Sequence, residues 1–414
     1  MISEIQIENF KSIARLTLGL GHVTVLIGEN GSGKSNILEG IAFAAAASAN
    51  KLDDEFLYNR GIRVTEQEWM LSKFVPPESL PSDEVPRRSI RHSFAARIVG
   101  SGLAKPLQIE ISPPLDIEEP NDSDWSISVG VDDEEFELES KTEEFSRLLS
   151  ELERLVPSAE SSETDKDVSG LAVARFLASR KKLKDLPDVS ARMSLRDFMI
   201  YAPENSVLRK FETEGAIKPL GPKGEGLLKL LAMSAAAGNG KFASELKEQL
   251  SLLGWFGDLR LPSHEDEIMG RLQISDRWLS KDGPLFDQRS ANEGFLYLLF
   301  YFTLLLSKQT PAFFAIDNLD ASLNPKLCAE LMRQIAVLAK RGGKQVICTT
   351  HNPAILDGLN LNDDDQRLYV VSRNSDGHTV ANRVKAPRPR PDGETGRLST
   401  AFLSGMLGGL PEHF

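Results

Sequence analysis

Polar and apolar residues alternate at the start of the chain, where Ile2–Ile7 has the sequence ISEIQI. A period of two is typical of a strand that buries one of its faces. The segment 22–27 is mostly apolar and predicts a buried strand. A glycine-rich turn follows, and the apolar spacing from about Ser35 to Ala47 then predicts a helix. A buried strand, a turn and a helix in this order indicate the beginning of an α/β fold.

The middle of the chain contains two different patterns. Short alternating segments between Arg91 and Leu138 predict an antiparallel β lobe, whereas residues 143–190 have apolar residues at helical spacing. We interpret this order as one α/β head that carries an insertion. The alternating segments are His92–Ile98, Leu107–Ser112 and Trp125–Val131. The predicted divisions are the N-terminal half of the head with its β lobe (1–140), an inserted helical lobe (141–270) and the C-terminal half of the head (271–414).

From residue 284 onward the pattern is again α/β. The apolar stretch Phe295–Leu306 is shorter than the ~20 residues needed to span a membrane, so it predicts a buried helix. Asn324 and Pro325 are favourable residues at the start of another helix. We expect no membrane-spanning segment and no signal peptide, because the chain begins directly with a strand pattern. Further strands are predicted at Gln345–Thr350 and Arg367–Ser372.

Charge narrows the class of protein. The 414 residues include 48 lysines and arginines and 60 aspartates and glutamates, for a formal net charge of −12. A protein that coats nucleic acid neutralises many phosphates, so this charge argues against bulk binding of DNA. Local basic groups exist, and such groups usually form a solvated face. They are Arg87, Arg88 and Arg91, and Arg180, Lys181, Lys182 and Lys184.

The chain has two cysteines, Cys328 in a predicted helix and Cys348 in a predicted strand. In such positions they are more typical of small buried residues than of a disulfide or a metal-binding pair. A chain without disulfides fits a reducing compartment. We therefore expect a cytoplasmic protein.

The strongest motif is a phosphate-binding loop. Residues 28–35, GENGSGKS, match G-x-x-x-x-G-K-[ST] at every fixed position, between a predicted strand and a predicted helix. The glycines let backbone N–H groups surround a phosphate, the lysine reaches the β- and γ-phosphates, and the serine hydroxyl binds Mg²⁺. The predicted nucleotide-binding residues are Gly28, Glu29, Asn30, Gly31, Ser32, Gly33, Lys34, Ser35 and Asn36.

The C-terminal half contains one apolar strand that ends in an acid and another that ends in a histidine. Residues 312–316 lead to Asp317, which predicts a carboxylate that contacts the magnesium shell. Residues 346–350 lead to His351. Either feature is common by itself. The two features in this order after a phosphate-binding loop are much more specific.

With these motifs the sequence resembles the ABC-type ATPase heads of SMC, RecF and OLD proteins, and among them the compact prokaryotic ATPases of the AAA family. Ile7–Ile13 (IENFKSI) is similar to the opening of those heads, and Ala321–Pro325 to their D-loop. Asp317 matches their Walker B acid, and His351 matches the switch histidine that senses the γ-phosphate. The signature, which in those heads contacts the ATP of a neighbouring subunit, corresponds to Asn292, Glu293 and Gly294.

Two positions depart from the pattern of these heads. The residue after Asp317 is usually a glutamate that activates the attacking water, and here it is Asn318. An amide orients water but does not accept its proton, so we expect slow ATP hydrolysis, with Asp320 as an alternative base. The signature serine is replaced by Asn292, whose amide can still donate a hydrogen bond to the γ-phosphate. The catalytic set that the resemblance implies is Lys34, Asp317, Asn318 and His351.

The resemblance covers residues 1–45 and 285–375 well and the middle of the chain only loosely. It implies a P-loop NTPase fold of the ABC-head type, with ATP and Mg²⁺ as cofactors and with Ser35 and Asp317 as metal ligands. It also implies a head-to-tail homodimer that closes around ATP. Whether such dimers assemble into a higher oligomer is left open by the resemblance.

Three hypotheses follow for what the ATP cycle drives. The leading one is a subunit that regulates or scaffolds a separate effector, a nuclease or toxin, because the chain resembles ATPases encoded beside effectors in bacterial anti-phage defence. The alternative is a RecF-like DNA-binding ATPase in DNA repair or maintenance. A transporter ATPase fits least, because the opening motif and the insertion do not suit it.

Overall fold

The described part of the chain covers most of the predicted head. The helices predicted within 143–190 and the two basic groups around Arg87 and Arg180 lie outside it. The computed structural model describes residues 1–65, 67–72, 93–100, 106–112, 125–131, 194–210, 219–237, 240–262, 272–279, 285–386 and 396–409.

Both halves of the chain contain strands and helices. The strands are β1 (Ile2–Phe10), β2 (Ile13–Gly19), β3 (Val23–Ile27), β4 (Phe94–Gly100), β5 (Leu107–Ser112), β6 (Ser126–Val131), β7 (Ile200–Tyr201), β8 (Phe256–Arg260), β9 (Gln273–Asp276), β10 (Phe313–Ile316), β11 (Gln345–Thr350), β12 (Gln366–Arg373) and β13 (Thr379–Val384). The helices are α1 (Lys34–Ser48), α2 (Asp54–Tyr58), α3 (Gln67–Met70), α4 (Asn205–Leu208), α5 (Leu227–Ala237), α6 (Lys241–Leu250), α7 (Glu293–Leu306), α8 (Pro325–Gly342) and α9 (Leu398–Leu403), with a 3₁₀ helix at Pro353–Gly358.

An antiparallel sheet has the strand order β2-β1-β4-β5-β6. It confirms the predicted antiparallel β lobe and adds the first two strands of the chain to it. Ile2, Ile5 and Ile7 alternate along β1 and are buried, as the pattern predicts. Ile7 packs against α1 so closely that a Cβ added at Gly40 would lie 3.2 Å from its side chain. The β lobe is thereby joined to the helix that follows the phosphate-binding loop.

A second, central sheet positions the predicted motifs. Its order is β13-β12-β3-β11-β10-β7, with β13 antiparallel and the other strands parallel. Every residue of β3 and β11 is buried, as is typical of parallel strands covered on both faces. The carboxyl ends of parallel strands lie along one edge. There β3 leads into residues 28–33, β10 into Asp317 and β11 into His351.

Separate hydrophobic clusters cover the two faces of the central sheet. Consecutive residues Val25 and Leu26 belong to different clusters, because successive strand residues point to opposite faces. Helix α1 and the antiparallel sheet contribute to one cluster, and α7 and α8 contribute to the other. All residues from Phe295 to Leu305 are buried, so the apolar stretch is a buried helix, as predicted. Among the described residues, no helix has the length and apolar character to cross a membrane.

The range predicted as an inserted lobe also contributes to this head. Strand β7 is the edge strand of the central sheet and pairs with β10, and residues of α5 and α6 belong to the same hydrophobic cluster as α7. The described parts of 194–262 are thus built into the core. The divisions at 140 and 270 stay a prediction. Cys328 and Cys348 are free and buried, in agreement with the interpretation of the sequence.

Candidate functional site

The loop of residues 28–33 lies between β3 and α1, as the motif predicts. Gly31 and Gly33 have φ of 78° and 103°, a region that favours glycine. A Cβ added at Gly33 would lie 2.0 Å from the Thr379 hydroxyl oxygen, so only glycine fits there. Helix α1 has no side-chain N-cap. Its first N–H groups and the positive end of its dipole therefore face the loop, which is the arrangement that binds a phosphate.

Lys34, the first residue of α1, folds back over the loop. Its Nζ donates hydrogen bonds to the carbonyl oxygens of Gly28 at 2.9 Å and Glu29 at 2.8 Å. Burial lowers the pKa of Lys34, while the negative charges of Asp317, Glu29 and Asp320 oppose this shift. A buried ammonium group held by neutral carbonyls exchanges them favourably for phosphate oxygens, because charge-assisted hydrogen bonds are the stronger ones.

Ser35 and Asp317 form the predicted metal-binding pair. The Ser35 hydroxyl donates a hydrogen bond of 3.3 Å to Oδ2 of Asp317, and the Thr349 hydroxyl donates one to Oδ1. Hydroxyl and carboxylate oxygens suit Mg²⁺, which usually takes one or two protein ligands besides phosphate oxygens and water. Within the described residues no group of three or more His, Cys, Asp or Glu could hold a metal ion. The oxygens of Ser35 and Asp317 fit a magnesium ion carried by a nucleotide, because they are the kind of protein ligand that Mg²⁺ prefers.

Asn318 and Asp320 follow the Walker B strand. Asn318 is exposed, has a φ of 56° and donates its N–H to the Thr349 hydroxyl at 2.9 Å. Oδ1 of Asp320 accepts hydrogen bonds from the Thr350 hydroxyl at 2.6 Å and from the N–H of His351 at 3.3 Å. Asp320 thus holds the end of β11 against the loop after β10. Asn318 is the more accessible of the two side chains.

His351 lies directly after β11, near the carboxylates of Asp317 and Asp320 and the ammonium group of Lys34. Partial desolvation and the charge of Lys34 lower its pKa below the ordinary 6.5, against the opposing charges of Asp320 and Asp317. The shift favours the neutral form of the imidazole. A histidine whose pKa is lowered by folding stabilises the fold above its unfolded pKa and loses that contribution as the pH falls.

We expect the Lys34→Ala substitution to raise the midpoint of the His351 titration towards 6.5, because one cause of the lowered pKa is removed. NMR of histidine ring resonances from pH 5 to pH 8 would measure both midpoints, with His351→Gln to assign the signal. An unchanged midpoint would mean that the two side chains are too far apart to share a phosphate.

The predicted signature begins a helix. The Oδ1 atom of Asn292 caps α7 by accepting the Phe295 N–H at 2.8 Å, which leaves its NH₂ group to donate elsewhere. Gly294 lies in the first turn of α7, and a Cβ added there would have only ordinary contacts, the nearest 3.5 Å away on Leu323. Glu293 contacts Ser322 of the D-loop segment. The structure therefore places the signature beside the D-loop of its own chain.

A hydroxyl network that the sequence did not predict supports the phosphate-binding loop. The Thr379 hydroxyl lies 2.7 Å from that of Ser12 and donates to the carbonyl oxygen of Ser32 at 3.0 Å. Asn36 Nδ2 donates to the Ser12 hydroxyl at 2.7 Å. Ser12 belongs to the opening motif IENFKSI, which was the available signal. Thr379 is brought there by the β12–β13 hairpin, and nothing in its local sequence indicates this position.

A group of charged residues on and beside α1 was also not predicted from the sequence. Glu39 is buried within α1 and forms ion pairs with Lys11 at 2.6 Å and Arg63 at 2.5 Å. The guanidinium of Arg63 also donates to Asn36 Oδ1 at 3.2 Å. Arg63 is largely exposed, and its pKa is raised, first by the hydrogen bond to Glu39. The opening motif, α1 and Arg63 are thereby tied together next to the loop.

The turn after β7 reaches the same edge of the sheet. The N–H of Asp317 donates to the carbonyl oxygen of Tyr201 at 2.8 Å, so the residues after Tyr201 lie beside the Walker B acid. In this turn Glu204 forms an ion pair of 2.9 Å with Lys223. Asn205 Oδ1 accepts a hydrogen bond of 2.6 Å from Nε of Arg209. The sequence placed no functional residue in this turn.

The fold and the site together define a P-loop ATPase head. Residues 23–357 match a family described as "AAA domain", whose description also names the AbiEii toxin and the type IV TA (toxin–antitoxin) systems. The chain belongs to this family, because the match covers most of its length. No curated protein matches the chain.

Solved structures of SMC heads resemble the chain over nearly its whole length. An SMC head bound to the C-winged helix domain of ScpA is 16% identical, covers 93% of this chain and 98% of its own, and has a TM-score of 0.53. SMC heads from Thermotoga maritima (14% identical, 93% and 99% covered) and Pyrococcus furiosus (15% identical, 93% and 96% covered) have TM-scores of 0.45 and 0.47. The first match confirms the predicted α/β fold of the SMC-head class, and identities this low concern the fold alone.

Proposed function

We propose that the chain binds ATP–Mg²⁺ between two copies of itself and hydrolyses it slowly. The observation that carries this proposal is the uncapped start of α1, with Lys34 over the loop and with Ser35 beside Asp317. A helix start without a cap, a buried lysine and a hydroxyl–carboxylate pair suit one ligand, a polyphosphate with its magnesium ion.

The residues at this edge of the sheet have different roles in binding and hydrolysing ATP. Residues Gly28–Asn36 surround the phosphates, Lys34 neutralises the β- and γ-phosphates, and Ser35 and Asp317 hold Mg²⁺. The neutral His351 donates a hydrogen bond to the γ-phosphate, and Asn318 orients the attacking water without accepting its proton. A magnesium ion supplies charge neutralisation between the phosphates when it is bound.

Gly294 supports a site shared between two copies of the chain. Its φ is an ordinary helical one, and a Cβ added there meets nothing closer than 3.5 Å, so its own chain does not require glycine. Glycine within a helix is unfavourable by about 0.5–1 kcal/mol relative to alanine. A close approach from outside the chain explains it, and a phosphate of ATP bound to a second copy is that approach. Asn292, with its free NH₂ group, lies two residues away.

We expect the Gly294→Ala substitution to act with opposite signs on folding and on association. The free energy of unfolding of the ATP-free chain should rise by about 0.5–1 kcal/mol, because alanine favours the helix. ATP-dependent association should weaken by at least about tenfold, or 1.4 kcal/mol, because the methyl group excludes the phosphate. Chemical denaturation and light scattering with ATP–Mg²⁺ measure the two effects. Unchanged association would remove Gly294 from the interface.

Mixing two inactive variants tests the shared site. Lys34→Ala removes a residue of the phosphate-binding loop, and Gly294→Ala removes the signature that the neighbour uses. If each site combines both chains, half of the dimers in an equal mixture are mixed, and each contains one complete site. The mixture should then regain roughly a quarter of the wild-type ATP hydrolysis. No recovery, or activity of Gly294→Ala by itself, would contradict a site shared between two copies.

We further propose that the ATP-bound dimer regulates or scaffolds a separate effector, a nuclease or toxin, in bacterial anti-phage defence in the cytoplasm. The family description supports this, because it names a toxin and a type IV TA system. The replacement of the usual glutamate by Asn318 also supports it, because slow hydrolysis prolongs the ATP-bound state. ATP-dependent co-purification with the product of a neighbouring gene is the expected result.

A RecF-like role in DNA repair or maintenance is the second candidate, favoured by the likeness of the fold to an SMC head. ATP-dependent retention on DNA that decreases steeply with salt would favour it over the effector role. Retention on DNA without ATP, or retention that is insensitive to salt, would not favour the RecF-like role.

A further inference from the structure

Glu293 is the middle residue of the signature, yet its carboxylate is already occupied within its own chain. Oε2 accepts the hydroxyl of Ser322 at 2.7 Å, and Oε1 accepts an N–H of Asn205. Both hydrogen bonds favour the ionised form, and the pKa of Glu293 is lowered by that of Ser322 first and that of Asn205 second. A carboxylate held in this way is not a phosphate ligand, because two anions repel each other.

The two partners of Glu293 belong to the two segments that flank Asp317. Ser322 lies five residues after Asp317, in a backbone conformation with φ of 58° that is uncommon for serine. Asn205 is the first residue of α4, four residues after Tyr201, whose carbonyl oxygen accepts the N–H of Asp317. The hydrogen bonds of Glu293 thereby close a ring from the Walker B acid, through both flanking segments, to the first residue of α7.

We propose that Glu293 is a positioning residue that couples the Walker B acid of one chain to the signature that the same chain presents to its partner. The proposal rests on the proposed ATP-bound dimer. Asp317, when it holds a magnesium ion and its nucleotide, would set the position of both flanking segments. Through its hydrogen bonds to these segments, Glu293 would move with them. Asn292 and Gly294 would move with Glu293, because all three belong to the rigid start of α7. The signature of each copy therefore binds the nucleotide of its neighbour most tightly when the copy's own site also holds a nucleotide.

Separate binding and association measurements test this coupling. Glu293→Ala removes both hydrogen bonds. Glu293→Asp keeps a negative charge at the start of the helix, where it is favourable, but is one methylene too short for both partners. Glu330→Ala is the matched control, because Glu330 is a helix-surface glutamate whose hydrogen bonds go to Arg333 and Gln334 of its own helix. Titration with a fluorescent ATP analogue at low protein concentration gives the affinity of the single chain. Light scattering and ATP hydrolysis give the association and kcat.

We expect Glu293→Ala and Glu293→Asp to bind the analogue as the wild type does, because Glu293 does not contact the nucleotide of its own chain. Both should weaken ATP-dependent association by about tenfold and lower kcat while leaving KM nearly unchanged, within the usual range of coupling between sites. Ser322→Ala should weaken association similarly. The double variant should be no worse than Glu293→Ala, because Glu293→Ala already removes the hydrogen bond to Ser322. Glu330→Ala should equal the wild type in every assay.

Several results would overturn the proposal. Wild-type association of both Glu293 variants, with weak association of Gly294→Ala, would leave the shared site intact and exclude the coupling. Strictly additive effects of Glu293→Ala and Ser322→Ala would show that the two residues act separately. A wild-type chain that binds ATP and stays a single copy would remove the proposed dimer, and the coupling with it.

Discussion

Replacing Lys34 with alanine is expected to weaken ATP binding at least a hundredfold while leaving the fold intact. Hydrogen bonds to charged groups contribute about 1.5–3 kcal/mol each, and Lys34 would make two to the β- and γ-phosphates. A loss of about 3 kcal/mol corresponds to at least a hundredfold weaker affinity. In the ATP-free chain Lys34 is bonded to two carbonyl oxygens of its own loop, so their loss affects a local loop and not the core.

Unfolding in the presence of ATP–Mg²⁺ measures this effect. At an ATP concentration of a hundred times Kd, binding stabilises the wild-type chain by about 2.7 kcal/mol. The same concentration would stabilise the Lys34→Ala variant by only about 0.4 kcal/mol. Lys51→Ala is the control, because Lys51 is an exposed lysine just beyond the other end of α1. Equal stabilisation of Lys34→Ala and wild type would place the nucleotide elsewhere.

Replacing Asn318 with glutamate is expected to accelerate ATP hydrolysis by about 10²-fold or more. General base catalysis typically contributes 10²- to 10⁴-fold, and Asn318 stands at the exposed position directly after Asp317. The same substitution should lower the free energy of unfolding by about 1 kcal/mol. Asn318 has a φ of 56°, and asparagine tolerates this left-handed conformation better than glutamate does.

Asn318→Gln is the matched control for this prediction. Glutamine has the shape of glutamate and the same backbone cost, but it does not accept a proton from water. We expect Gln to be destabilised like Glu and to hydrolyse ATP no faster than the wild type. If Glu and Gln variants are equally slow, the base lies elsewhere. A wild-type chain that turns over many times per second, and loses this rate in Asp320→Asn, would identify Asp320 as the base.

The P-loop and the two strand-end residues were predictable because their signals are local. Glycines at 31 and 33 are needed for the shape of the loop, and the lysine and serine follow in fixed order. Asp317 follows an apolar strand and His351 a mostly apolar one, and the carboxyl ends of parallel strands must share one edge of a sheet. The cap of α8 at Asn324 was a local signal of the same kind.

The contacts that hold these residues in place could not be predicted from local signals. Thr379 reaches Ser32 only because the β12–β13 hairpin closes the far end of the sheet. β7 joins the central sheet from the range predicted as an inserted lobe, because the local pattern of a short strand does not show which sheet the strand joins. The single residues Arg63 and Asn205 carry no motif.

The sequence by itself determined the class of ligand, the order of the motifs and the side chains at the edge of the sheet, because hydrophobic period and loop composition act over a few neighbouring residues. Only the tertiary structure decided how these side chains are held. The hydrogen bonds from Ser12 to Thr379 and from Ser322 to Glu293 join positions 367 and 29 residues apart. Such contacts depend on strand pairing and helix packing over the whole head, which no local pattern records.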